Sequence, residues 1–168
     1  MTENTVTLEE MLAARELRAA RQSALLQRFH APLVCLTMNI PGPVKLPEGA
    51  ERAFGLALER VERILAEHDA SVVHRERFVK KTGCEAFLAV QADPAALKAW
   101  MTDLEDADAL GRLLDLDVLT VEGGKLSRPT PRRCLLCGRQ AQICARSRAH
   151  SLEELDAVVQ AILREAAP

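Results

Sequence analysis

The chain has 168 residues, 48% of them hydrophobic and 27% charged, with a net charge of −2, which is enough apolar material for a sizeable core and too much for a disordered tail. One Trp, four Phe and no Tyr are too few flat rings for a platform that stacks single-stranded nucleic acid, and no apolar run approaches the roughly 18–20 residues that span a bilayer. The opening MTENTVTLEE lacks the basic start and apolar stretch of a secretory signal, so the five cysteines are expected as reduced thiols or metal ligands in the cytoplasm rather than as disulfides.

Thr7 followed by Glu10 is a capping box that opens a helix over about 8–29, with Arg15, Arg18 and Arg21 as one basic stripe. Residues 33–40, LVCLTMNI, read as a buried strand stopped by Pro41-Gly42-Pro43. Lys45 follows this stiffened turn and is placed to contact an anion. In 51–67 the apolar residues Phe54, Ala57, Leu58, Val61, Ile64 and Leu65 share one helical face. Residues 71–79 and 84–91 predict a hairpin around Thr82-Gly83. Asp93 as N-cap with Pro94 in the first turn starts a helix to about 106. Residues 113–121, LLDLDVLTV, form the last strand, and Gly123-Gly124 turns the chain.

The order over 33–121 is β-α-β-β-α-β, the split pattern of a ferredoxin-like α+β sandwich, mainly antiparallel with helices on one face. One domain is expected over 1–168: a core of about 30–128, an irregular Pro/Arg/Cys-rich segment over 129–150, and a helix over 151–165. That helix opens on a second capping box, Ser151 with Glu154, and docks through Leu152, Leu155, Val158, Val159 and Ile162.

Chemistry concentrates in three places. Asp115 and Asp117 are two apart on a strand and so project to the same face, away from Leu114, Leu116 and Val118. Two converging carboxylates are hard oxygen ligands suited to Mg²⁺ that also keeps waters and substrate phosphates. Residues 125–150 hold Lys125, Arg128, Arg132, Arg133, Arg139, Arg146 and Arg148 and no acid, a charge of +7, whereas the rest of the chain holds 15 basic and 24 acidic residues. Such a patch expects an anionic partner. Paired acids for a metal beside arginines that fork onto phosphate oxygens suit phosphoryl or nucleotidyl transfer. Cys134-x2-Cys137-x6-Cys144-x5-His150 supplies four ligands, enough for a tetrahedral Zn²⁺. Free thiols with a helix-flanking histidine are the plainer reading of the same residues. Cys35 and Cys84 read as core.

Arg18-x2-Arg21-Gln22, Pro32-Leu33-Val34 leading to Pro41-Gly42-Pro43-Val44-Lys45, and Gly111-Arg112-Leu113-Leu114-Asp115-Leu116-Asp117-Val118 are followed by Ser127-Arg128 and by Arg132-Arg133-Cys134-Leu135-Leu136-Cys137 running through Cys144-Ala145-Arg146 to His150. In this order the blocks resemble the CitX family, the holo-acyl-carrier-protein synthases of citrate lyase, over about residues 15–165. The resemblance implies transfer of the phosphoribosyl-dephospho-CoA group of 2′-(5″-triphosphoribosyl)-3′-dephospho-CoA to a serine of the acyl-carrier (gamma) subunit of citrate lyase, with pyrophosphate released. On that chemistry Asp115 and Asp117 are expected to hold Mg²⁺, and one of them to take the serine proton. Arg112, Arg128 and Arg133 are expected to grip the triphosphate, with Lys45, Arg146 and Arg148 as further phosphate contacts. The competing class is a non-catalytic module in which a zinc-clasped basic segment captures nucleic acid or an acidic protein. It leaves the two aspartates unexplained, since acids within an anion-binding surface repel the ligand unless a cation intervenes.

Overall fold

The strands Leu33–Met38 (β1), Ser71–Lys80 (β2), Gly83–Gln91 (β3) and Leu114–Leu119 (β4) form one sheet in the order β2-β3-β1-β4. Every neighbouring pair is antiparallel. The structure is a computed structural model and describes residues 4–168. The helices are Leu8–Phe29 (α1), Ala50–Glu67 (α2), Pro94–Ala107 (α3), Ala109–Leu113 (α4), Ala141–Ser147 (α5) and Leu152–Ala166 (α6). Strand order and direction are those of the expected split β-α-β-β-α-β sandwich.

Strand alternation sorts the core. Val34, Leu36, Leu88, Val90, Leu116 and Val118 pack against Phe54, Val61 and Leu65 of α2 and Leu97 and Met101 of α3. The opposite face departs from the expectation of helices on one side only. There Leu33, Cys35, Phe87 and Ala89 are also apolar, and α1 covers them through Leu25 and Leu26. Two residues of its basic stripe fasten it: the Arg18 Nε lies 2.7 Å from Glu85, and Arg21 pairs with Glu76. A third cluster joins α6, through Val159, Ile162 and Leu163, to Ile40, Ala53, Leu110 and Leu113. Fully burying a side chain of this size contributes about 1.5–3 kcal/mol.

Both capping boxes form, Thr7 with Glu10 and Ser151 with Glu154. Three boundaries differ from expectation. The first strand ends at Met38, because the Asn39 N–H turns aside to donate to the Leu113 carbonyl at 2.7 Å. The last strand begins at Leu114, because the Asp108 side chain accepts the Gly111 N–H and caps the short helix α4 in front of it. The segment 129–150 contains α5 and a closed knuckle ahead of it. The Cys134 N–H donates to the Arg139 carbonyl, and the Ala141 N–H to that of Arg132.

Candidate functional site

β4 is an edge strand, and its outward backbone groups meet side chains and a returning loop instead of a fifth strand. The Leu116 N–H donates to Glu105 Oε1 at 2.7 Å, and Lys98 Nζ donates to the Leu116 carbonyl at 2.9 Å. The Val118 carbonyl accepts the Leu126 N–H at 3.0 Å, and the Leu114 carbonyl accepts from Arg132. These anchors hold Leu114, Leu116 and Val118 against the core. Alternation then throws Asp115 and Asp117 onto the other face, beside Thr37 and Cys35 of β1.

The two aspartates line one cleft of about 780 Å³ together with Asn39, Lys125, Arg128 and Arg132. Asp117 lies 2.9 Å from Lys125 and Asp115 lies 3.8 Å from Arg132. The Asp115 side chain is 47% exposed and that of Asp117 25%, so Asp115 is the more accessible. Burial works against the charge of Lys125, but its hydrogen bond to Asp117 and the negative charges of Asp117 and Asp115 together outweigh burial and raise its pKa. Burial also pushes the Cys35 thiol up to about 12, and Asp117 adds to that shift. Cys35 is therefore an inert thiol under the cleft floor.

On the wall of the cleft Glu105 is buried, and burial raises its pKa against the opposing pull of the Leu116 N–H. Arg128 places one nitrogen 2.6 Å from both Asp106 oxygens, and another lies 3.7 Å from Glu105. Glu105 Oε2 and Arg128 Nε are buried without a hydrogen-bond partner. Gly111 permits the approach of α4 to α3, since a Cβ there would lie 2.2 Å from the Leu104 carbonyl oxygen.

Cys134, Cys137, Cys144 and His150 present ligand atoms that all lie within 4.8 Å of one another. Tetrahedral zinc with bonds of about 2.3 Å to sulfur needs ligand atoms about 3.8 Å apart, and the Cys137 and Cys144 sulfurs are 3.4 Å apart. Backbone and side-chain hydrogen bonds from Arg139 pull Cys137 down to about 6, so it is a thiolate at neutral pH. The cluster can hold a metal ion. Its geometry arises locally: the knuckle brings Cys134 and Cys137 together, and α5 returns Cys144 towards them. All five cysteines are unpaired.

The remaining expected site residues are spread unevenly. Arg112 donates to the Cys134 carbonyl and so ties the knuckle to α4. With Arg128, Arg132 and Arg133 it lines a neighbouring cleft of about 650 Å³. Arg148 lines a further cleft below the cysteines. Lys45 is not at the aspartates: its Nζ donates to the Ile40 carbonyl at 2.6 Å, and burial lowers its pKa. Arg146 is exposed on α5 and lines none of these clefts. Sequence reasoning gave no role to Lys98, Glu105 or Asn39, and placed Lys125 only within the basic segment. For Lys125 a signal existed, since the Gly123-Gly124 turn folds it back opposite Leu119.

Among the described residues no helix is long and apolar enough to cross a membrane. A family model described as apo-citrate lyase phosphoribosyl-dephospho-CoA transferase matches residues 6–166. A probable apo-citrate lyase phosphoribosyl-dephospho-CoA transferase of Vibrio cholerae serotype O1 (strain M66-2) is 40% identical over 161 residues, which is 93% of this chain and 90% of the relative. An apo-citrate lyase phosphoribosyl-dephospho-CoA transferase of Escherichia coli O6:K15:H31 is 37% identical over 166 residues, 96% of this chain and 91% of the relative.

Proposed function

The chain belongs to the apo-citrate lyase phosphoribosyl-dephospho-CoA transferase family, and from that premise we propose that it modifies the acyl-carrier (gamma) subunit of citrate lyase in the cytoplasm, with 2′-(5″-triphosphoribosyl)-3′-dephospho-CoA as donor. A serine hydroxyl of the carrier attacks the α-phosphorus. A P–O bond forms to the serine oxygen, the α–β bridging P–O bond breaks, and pyrophosphate departs with its electron pair. Asp115, the more exposed acid, accepts the serine proton. Arg132 and Arg128, on the wall of the same cleft, face the phosphate oxygens and stabilise charge building on the leaving group.

The carboxylate pair fits Mg²⁺ by donor chemistry: two hard oxygens in one cleft, with the exposed Lys125 already drawn to the negative charge there. Bound Mg²⁺ would neutralise charge on the donor's phosphates. The cysteine-rich cluster fits Zn²⁺ in a structural role, clasping the basic segment beside the cleft.

The single observation that carries this reading is the convergence of Asp115 and Asp117 with Arg128 and Arg132 on one cleft, in a chain related throughout to transferases. That convergence and the family favour it over a non-catalytic basic module. The test is mass spectrometry of the apo-carrier after incubation with this protein, donor and Mg²⁺. Wild type should add the prosthetic group and release pyrophosphate. Asp115→Asn and Asp117→Asn should lose at least about a hundredfold in rate while keeping the wild-type circular dichroism. Two folded, fully active variants would overturn the mechanism.

A further inference from the structure

Around the wall from the aspartate cleft lies another of about 750 Å³, within the usual range for small-molecule sites. The two share Asn39, Arg132, Ala141 and Ala145, so they adjoin across a common wall. Their chemistry differs. The second cleft has no carboxylate in its lining. Its charged groups are Arg112, Arg132, Arg133 and Arg148, and its apolar surface comes from Leu135, Leu152 and Leu155. Leu152 is 57% exposed, a large apolar side chain left open to solvent at the cleft mouth.

Arg148 is the telling residue. It sits at φ +49° in the left-handed region at the end of α5, where glycine is at no disadvantage and a side chain is. It is exposed, and among the described residues no carboxylate pairs with it. A free guanidinium at the rim of an acid-free cleft lined by leucines fits a ligand with an anionic group joined to an apolar arm.

The donor proposed above has two polyphosphate groups. The triphosphate reacts, and suits acids that hold a cation. The diphosphate at the CoA end does not react, so it needs guanidiniums alone and would be repelled by carboxylates. We infer that the second cleft seats the CoA end of the donor, with its diphosphate on Arg133 and Arg148 and its pantetheine arm along Leu135, Leu152 and Leu155. This assignment rests on the transferase reading. Contacts to this non-reacting end fix the α-phosphorus in the neighbouring cleft, converting remote binding energy into orientation.

The test uses two probes and isothermal titration calorimetry on the full chain. Dephospho-CoA reports the second cleft, and inorganic tripolyphosphate with Mg²⁺ reports the first. Arg148→Gly removes the guanidinium and relaxes the backbone, and Leu152→Asp adds a carboxylate at an exposed position. Both variants should weaken dephospho-CoA binding by about tenfold or more, leave tripolyphosphate binding unchanged, and melt no lower than about 3 °C below wild type. Wild-type affinity for dephospho-CoA in both folded variants would overturn the assignment, as would a wild type that ignores dephospho-CoA at millimolar concentration. Asp115→Asn separates this from the mechanism: it should lose transfer yet still bind dephospho-CoA.

Discussion

The carboxylate of Glu105 accepts the Leu116 N–H at 2.7 Å, so a buried acid on α3 fixes the residue that separates Asp115 from Asp117. Burial raises the pKa of this acid above its ordinary 4.5. The folded state therefore holds the proton more tightly than the unfolded one. The stability linked to that proton is full below 4.5 and is lost as the pH climbs through the folded value. Wild type should lose stability over that window, and Glu105→Gln, which keeps an acceptor for Leu116 and has no charge to bury, should flatten the decline. Urea midpoints across pH 4–8 measure both; parallel curves would refute the account. Glu105→Ala should cost about 1–3 kcal/mol at the acid end of that range, since it leaves a buried N–H without a partner, and less as the pH rises and wild type loses its proton-linked stability.

Gly111→Ala tests the contact beneath the Gly-Arg block. The added Cβ would lie 2.2 Å from the Leu104 carbonyl oxygen, a backbone atom with no rotamer to change. α4 must then shift away from α3 at a cost of about 1–3 kcal/mol. Because α4 also carries Arg112, which bonds the Cys134 carbonyl, the shift should loosen the knuckle. Chemical denaturation should show the loss of stability, and faster proteolysis within 129–150 should accompany it. A variant as stable as wild type would mean that α4 packs less tightly than these distances require.

Much of this architecture is legible in the sequence because its signals are local. Thr7 with Glu10, Ser151 with Glu154, and Asp93 ahead of Pro94 each mark a helix start by chemistry confined to one turn. The shared face of Asp115 and Asp117 follows from strand alternation alone. What escaped depends on long-range packing. Lys98 and Glu105 are polar residues on a helix, and nothing within α3 says that they meet the bare edge of β4. Lys45 looks suited to an anion by sequence, but the fold gives its amine a backbone carbonyl. α5 hides in a run of Arg, Cys and Gln because its stability comes from Cys144 buried at the cysteine cluster rather than from an apolar stripe.

The cysteine cluster makes two measurable claims. Hydrogen bonds from Arg139 pull Cys137 down to about 6, so in chelator-treated protein its alkylation by iodoacetamide should rise with pH to a midpoint near 6. Peptide mapping should find it modified well before Cys35, whose buried thiol is pushed up to about 12. Zinc should block the reaction, because the thiolate is then a ligand. Elemental analysis should give one zinc per chain in wild type and none in Cys137→Ser. An alkylation midpoint near the ordinary thiol value, or a chain without zinc after purification in zinc-containing medium, would reject the site.

Lys125 and Asp117 set the last expectation, which concerns competition. The ammonium lies 2.9 Å from the carboxylate that is proposed to hold Mg²⁺, and its side chain is 62% exposed. A pair with one partner open to solvent contributes on the order of 1 kcal/mol, so the metal displaces the lysine at small cost. Lys125→Met should therefore lower the Mg²⁺ concentration for half-maximal transfer by no more than about fivefold. The gap between variant and wild type should close as ionic strength rises, because salt already weakens the pair. If Lys125 instead bonds the donor's phosphates, the same variant should raise the donor KM and leave the Mg²⁺ requirement unchanged. The direction of the metal effect thus separates a lysine that yields its place to a cation from one that holds the substrate beside it.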